Sequence, residues 1–434
     1  MLRLTFPALA ATTLALFLST AGRGDVFRWD NGEVIPGTEG ITPGPGVQLN
    51  DRTLEFADLA DKTLNNASFA RSVLSSATFQ SSSLAGAAFT DADIEGANVS
   101  HTTARGFTKE QLYSTASYRQ GDLSGMVLGD NDLSGWSFLN QNLSGASLRN
   151  ANLSGSILHG ARLADADLSN AEVVRANFYA TTPRAFTKEQ LYSTASYQHR
   201  DLHGINLQRN NLDGWDFRGQ TLVDAEFQDS SLIDADFSQA NLIEASMAGA
   251  TLSNANLSQA DLDSAFLANA NLTSADLSGA NLRLARFQSA SLTNADFSGA
   301  HVAQAVFVRT TAGGFTKEQL YSTASYQQKN LRGILLSDND LTGWNFSGQD
   351  LTNSRFGSLP IGPTILHDVN FSGATIEGAD FHRAVRDGFT KEHLYSTASY
   401  QTRNLRRISL HDNDLTAWNF SGQDLKGAVI SHSV

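Results

Sequence analysis

The sequence predicts an all-β solenoid, and three observations predict it. Apolar residues recur every five positions; in residues 202–307 they stand at Leu202, Leu207, Leu212, Phe217, Leu222 and so on without a break to Phe307. Two places before them, every such position from Ala235 to Ala305 is alanine. Four interruptions of this pattern are copies of one another, and the period of five resumes after each. A period of five matches neither the helical 3.6 nor the strand period of 2. It fits a chain that turns the same corner every five residues and stacks its turns.

The chain opens with MLRLTFPALAATTLALFLSTAGRG. One Arg, an apolar stretch from Leu9 to Leu18 and then small residues make an export-signal layout over residues 1–24, with cleavage expected between Ala21 and Gly24. That stretch is too short to span a bilayer. The expected address is therefore periplasmic, cell-surface or extracellular. Residues 25–48 are rich in Gly and Pro and read as a linker or an irregular cap; the cap is favoured, with Phe27, Trp29, Val34 and Ile35 available for burial. No cysteine is present, which excludes disulfides and thiolate chemistry. A net charge of -13 with no basic run argues against electrostatic binding of nucleic acid or anionic membrane.

From residue 49 to 434 the fives run in five blocks starting at Leu54, Leu123, Leu202, Leu331 and Leu405, sixty-one units together. A weak patch, GSLPIGPTILHDV, keeps Ile361 and Leu366 in frame and reads as a bulge. Units such as ANLSQ, ADLDS and ADLSG resemble the pentapeptide-repeat family, whose motif is A-(D/N)-L-x-x. The resemblance implies a right-handed β-helix of square cross-section with four units per coil. Sixty-one units then make about fifteen coils and a rod on the order of 70 Å long. The central Leu or Phe and the Ala two before it point inward; Asn, Asp, Ser and Gly fill the outward turns.

The interruptions read FTKEQLYSTASY at Phe107, Phe186 and Phe315, and FTKEHLYSTASY at Phe389. With the units that follow, each forms a module: 107–143, 186–222, 315–351 and 389–425. Each predicts a short α-helix of about two turns. Thr108 and Gln111 form a capping box, and Phe107 packs on Leu112 as a hydrophobic staple. The last copy has His393 at the glutamine position, which is expected to weaken its box. So short a helix must dock on the solenoid to persist. The docking or interaction residues are Phe107, Leu112, Tyr113 and Trp136; Phe186, Leu191, Tyr192 and Trp215; Phe315, Leu320, Tyr321 and Trp344; Phe389, Leu394, Tyr395 and Trp418. Each Trp stands where Ala stands elsewhere, so it is expected to lie on the preceding helix with its N–H bonded nearby. Counting units between restarts gives steps of 3, 1 and 2 sides around a four-sided rod, so the modules are expected to point in different directions.

Acidic pairs such as Asp165/Asp167 and Asp234/Asp236 read as outward repeat positions rather than catalytic or calcium-binding carboxylates. The Asn-x-Ser/Thr sequences at Asn142, Asn152, Asn256 and Asn271 are generated by the repeat itself. His199 and His203 lie four apart without further metal ligands at a useful spacing. No phosphate, dinucleotide or nucleophile motif occurs, so no catalytic residue, metal or cofactor is expected. The expected function is a non-catalytic exported scaffold with a protein or surface partner and self-association through the C-terminal coil. The alternative is an acidic DNA-mimicking inhibitor, since some acidic pentapeptide-repeat proteins imitate duplex DNA and bind topoisomerases.

Overall fold

The computed structural model describes residues 24–359 and 362–431. The expected export signal, Ile361 and His432 lie outside them.

The chain returns to the same side of the molecule once every four units of five. Asp58 pairs with Thr78 and Thr78 with Asn98; further on, Thr251 pairs with Asn271 and Asn271 with Ser291, all in parallel. Four units therefore make one turn. Each unit brings one residue into a bridge, and its neighbours carry the hydrogen bonds: Leu252 N–H donates to Asn271 O at 2.7 Å, and Asn271 N–H donates to Ala250 O at 2.9 Å. These are isolated bridges. Among the described residues no strand of consecutive paired residues forms, which corrects the all-β expectation. The reason is the corner that follows every bridge. Its third residue has positive φ, as at Asp234 (57°) and Gln239 (59°), and the next amide closes the turn, Ala235 N–H to Leu232 O at 3.2 Å.

Inside, the unit centres are buried in columns. Phe217 and Phe237, one turn apart, stack at 4.9 Å with planes 10° apart, and Phe227 meets both edge-on. The alanines two before the centres are buried as well, from Ala225 to Ala305. Outside, the acidic pairs separate by role. Asp165 and Asp234 hold positive-φ turn positions, while Asp167 and Asp236 are bridge residues. The sequon asparagines close local turns: Asn142 Oδ1 accepts from Ser144 N–H at 3.2 Å, and Asn271 Oδ1 from Thr273 N–H at 3.1 Å.

The N-terminal segment packs on the first turn, and of the four residues expected inside it Ile35 is buried, Val34 is half-buried and the two aromatics are exposed. Phe27 bridges Val34 and Arg28 bridges Ala57, both antiparallel. Val26 and Ile35 are buried, whereas Phe27 and Trp29 are 43% and 53% exposed.

Four turns are longer than the rest because they hold a module. Asn98 pairs with Val127, Asn177 with Asn206, Val306 with Leu335 and Asp380 with Ser409, where an ordinary turn joins pairs such as Asp58 and Thr78. The inserts replace two sides of a turn and leave the bridges above and below in register. One further turn is longer by a single unit, as in Asp340–Ile365 and Asp350–Thr375. There the register gains five residues between Arg355 and Ile365 without gaining a side. Between Gln48 and Val429 the register counts about seventeen turns, or roughly 80 Å at ~4.8 Å per turn. The expected fifteen fell short because each module fills two sides itself. In the last turn Leu415, Phe420 and Leu425 are only half-buried and Ile430 is exposed, since no described turn stacks on them.

Candidate functional site

Each module holds two short helices where one was expected. In the first, a single 3-10 turn at Thr103–Arg105 leads to α1 (Lys109–Tyr113) and α2 (Ala116–Gln120). The copies give α3 (Lys188–Tyr192) and α4 (Ala195–Gln198), α5 (Lys317–Ser322) and α6 (Ala324–Gln327), and α7 (Lys391–Ser396) and α8 (Ala398–Gln401). The sequence breaks the helix itself: Thr115 is a second N-cap, accepting from Tyr118 N–H at 3.1 Å. The capping box at Thr108 and Gln111 forms, and Gln111 Nε2 also donates to the carbonyls of Leu84 and Ala87 in the turn below. At the last copy His393 completes the box through Nδ1, which accepts from Thr390 N–H at 3.1 Å. The box is therefore present; what His393 lacks is the glutamine's second set of donors to the turn below.

The docking residues come together in each copy. Phe107 and Leu112 are buried in the core, and Trp136 lies over them with ring centroids 6.0 Å from Phe107 and 6.5 Å from Tyr113. Trp215 meets Phe186 at 5.8 Å and Tyr192 at 6.3 Å, Trp344 meets Phe315 at 5.8 Å, and Trp418 meets Phe389 at 5.9 Å. Leu191, Leu320 and Leu394 are buried like Leu112. The indole fits an alanine's place because the turn beneath it carries the module there instead of a β corner. The expected partner for the indole N–H is not found among the described residues; the tryptophan whose N–H is bonded is Trp29, to Ser76 O at 2.7 Å.

Three further residue types carry the join, all of them present in the recurring pattern. The first is the second tyrosine. Tyr113 and Tyr118 stack at 4.4 Å, and both hydroxyls reach one residue of the next turn. Tyr113 Oη accepts from Ser137 N–H at 2.6 Å, and Tyr118 Oη donates to Ser137 O at 2.9 Å. Two phenols thus replace the neighbouring bridge residue that the module displaced. The same pairing clips Asp216 through Tyr192 and Tyr197, Asn345 through Tyr321 and Tyr326, and Asn419 through Tyr395 and Tyr400. Burial raises the phenol pKa of Tyr118, Tyr192, Tyr197, Tyr321, Tyr326 and Tyr400. The second is a buried asparagine. Asn131 Oδ1 accepts from the Thr102 and Thr103 amides, and Nδ2 donates to Val99 O and Leu128 O. Asn210, Asn339 and Asn413 stand in its place in the other copies. The third is glutamine: Gln141 Nε2 donates to Tyr118 O at 3.0 Å, and Gln220, Gln349 and Gln423 repeat the contact.

With the aromatic groups turned inward, each module presents a Lys–Glu pair outward: Lys109/Glu110, Lys188/Glu189, Lys317/Glu318 and Lys391/Glu392. Their placement corrects the expected scatter. Call side A the one bearing Asp58, Thr78, Asn98 and Val127, and let B, C and D follow along the chain. The first module lies between Asn98 on side A and Asp122 on side D, filling B and C. The other three follow Asn177, Val306 and Asp380, all on side C, and fill D and A. Three modules therefore share one pair of sides, six and then three turns apart, and the first lies opposite. The unit count missed this because each break advances the chain by three sides, and because the step from Arg355 to Ile365 spans ten residues but advances only one side. His199 and His203 build no metal site; His203 Nε2 lies 3.0 Å from Arg175 Nη2, and no cluster of three or more candidate ligands occurs among the described residues.

A register of four units per turn, five-residue corners and inserts that complete the bridges around them define a repeat-built coil held by isolated parallel bridges. The chain belongs to the pentapeptide-repeat family: the model for pentapeptide repeats matches it in eight copies, over residues 72–107, 142–179, 201–239, 230–267 and 265–302. Membership implies a right-handed quadrilateral β-helix. No curated protein matches the chain. Among solved structures, a pentapeptide repeat protein from the Arabidopsis thaliana thylakoid lumen is 30% identical over 26% of this chain and 87% of its own, with a TM-score of 0.19. HetL, a protein of heterocyst differentiation regulation from the cyanobacterium Nostoc, is 25% identical over 59% and 86%, TM-score 0.15. QnrB1, a plasmid-mediated fluoroquinolone resistance protein, is 17% identical over 49% and 88%, TM-score 0.29. No helix among the described residues is long and apolar enough to cross a membrane.

Proposed function

We propose that this protein is a non-catalytic exported scaffold that presents its modules to a protein or surface partner. The observation that carries this reading is the alignment of three modules on sides D and A at whole-turn spacings. At ~4.8 Å per turn their separations are roughly 29 Å and 14 Å, so a partner with a matching repeat engages them together and gains avidity from the rigid spacing. The working surface is the outward Lys–Glu row, since the aromatic residues are occupied in docking. Export is supported by the layout of residues 1–24.

Two measurements test the reading. N-terminal sequencing of the mature protein from outside the cytoplasm should begin between residues 22 and 25; a full-length cytoplasmic protein would refute export. Charge reversal at Lys188, Lys317 and Lys391 together should release the partner retained by the native protein, and reversal at Lys109 alone should release far less. A net charge of -13 on a rod favours one alternative, a DNA-mimicking inhibitor of a nucleic-acid-binding protein. Inhibition of gyrase supercoiling by the purified chain would favour that alternative over the scaffold.

A further inference from the structure

The cap and the first turns hold an aromatic recess that the modules do not use. Trp29 is half-exposed, and its ring is fixed at three points: its N–H donates to Ser76 O at 2.7 Å, its backbone N–H donates to Phe56 O at 2.9 Å, and its ring lies 5.8 Å from that of Phe56. Phe56 itself occupies a turn position with φ of 58°. A bulky residue is unfavourable there, and such strain is retained mainly where the surroundings or a function require it. The Arg28 guanidinium covers Phe56 from 4.5 Å and leaves Trp29 as the open aromatic wall. One turn above, Ser76 and then Gly96 hold the same corner, so the wall drops to a shelf of small residues.

The recess has a volume of about 540 Å³, and none of its nine lining residues is charged. The lining therefore offers no formal charge to pair with a charged ligand, which favours an uncharged one. Its rim supplies hydrogen-bonding groups not used within the fold. Asn98 spends Oδ1 on Ser100 N–H, which leaves its Nδ2 outward. Gln80 makes no side-chain hydrogen bond among the described residues, and Thr78 Oγ1 accepts from Gln80 N–H while its own proton stays available. Thr78, Asn98 and Val127 follow one another along side A, so the recess runs along roughly 10 Å of the rod at ~4.8 Å per turn.

We infer that this recess binds a neutral oligosaccharide. A pyranose ring has an apolar C–H face and an equatorial belt of hydroxyls. The Trp29 ring matches the face, because its N–H is already bonded and its π surface is what remains. The Asn98 and Gln80 amides and the Thr78 hydroxyl match the belt. A single aromatic wall with a few placed amides suits a chain of sugar units laid along the rod.

The full chain is titrated by calorimetry with hexasaccharides of glucose, N-acetylglucosamine, mannose and xylose at millimolar concentration. At least one is expected to bind. Trp29→Ala should weaken that binding by about tenfold and Gln80→Ala with Asn98→Ala by a similar factor, each equivalent to one good contact. Trp29→Phe, which keeps a ring, should retain most of it and guards against an unfolded cap. Failure of all four sugars to bind overturns the inference. So does unchanged affinity in Trp29→Ala, preference for a sulfated oligosaccharide, or binding of a proline-rich peptide at this recess in place of sugar.

Discussion

Tyr192→Phe tests the idea that phenols stand in for a missing bridge residue. The Asp216 amide donates to Tyr192 Oη at 2.5 Å, and the Asp216 carbonyl accepts from Tyr197 Oη–H at 2.8 Å. Removing the Tyr192 hydroxyl keeps the stacked rings, 4.4 Å apart, and strands one backbone N–H. A buried donor left unpaired costs about 1–3 kcal/mol. Asp216 is only partly buried, so water reaches the amide in part and the expected cost is about 1–1.5 kcal/mol. Tyr197→Phe strands a carbonyl, which tolerates loss of one partner better, and should cost about half as much. The assay is amide hydrogen exchange at residue resolution. In Tyr192→Phe the Asp216 amide should exchange about tenfold faster, the kinetic equivalent of ~1.4 kcal/mol. The Asp236 amide one turn on, which donates to Trp215 O at 3.0 Å, should not change. Equal protection of Asp216 in both proteins, or a larger effect from Tyr197→Phe, would refute the reasoning. Global denaturation is the poorer readout, because long repeat arrays lose cooperativity.

Five other outcomes are expected. Asn210→Ala removes the acceptor for the Thr181 and Thr182 amides and should cost roughly 2–5 kcal/mol, seen as new proteolytic cleavage between residues 181 and 200. Leu257→Ala, in the uniform run, should cost about 2–5 kcal/mol in urea denaturation with no effect on the modules. Gln239→Gly should stabilise by about 0.5–1 kcal/mol, since relief of a left-handed conformation at φ of 59° exceeds the added chain entropy. Burial lowers the His393 pKa below its ordinary 6.5, so the folded state binds fewer protons than the unfolded one; the last module should hold above pH 6.5 and loosen as pH falls below it, while His393→Gln abolishes that dependence. The raised tyrosine pKa values act in the opposite direction: the modules keep full stability below pH 10 and should lose it above, followed by tyrosinate absorbance.

The winding was legible because it is written in side-chain size. Leu and Ala at fixed steps of five have no reading but a repeated corner, and the Thr108/Gln111 box announces a helix start wherever it recurs. The second cap at Thr115 stands in the sequence as a Ser-Thr step inside the stretch expected to form one helix. The two tyrosine hydroxyls were not legible as mimics of a bridge residue. Their role depends on which backbone groups the module leaves unpaired, and that is set by the bridges of the next turn. Orientation was lost for the same cause: a break in the period does not state how many sides it replaces until Asn98 is seen to pair with Val127.

The five extra residues in the turn from Asp340 to Ile365 have a consequence for how such a chain tolerates change. One unit wound into the rod rotates everything beyond it by a quarter turn; one unit added without gaining a side rotates nothing. The lengthened turn from Asp340 to Ile365 belongs to the second kind, and it lies between the third and fourth modules. Had that segment wound in, the fourth module would face a quarter turn away from the second and third. Angular phase, rather than sequence length, is thus the quantity to conserve when units are gained or lost. Deleting four units shortens the rod by ~4.8 Å and preserves the phase; deleting one unit between modules keeps every contact type and destroys the alignment.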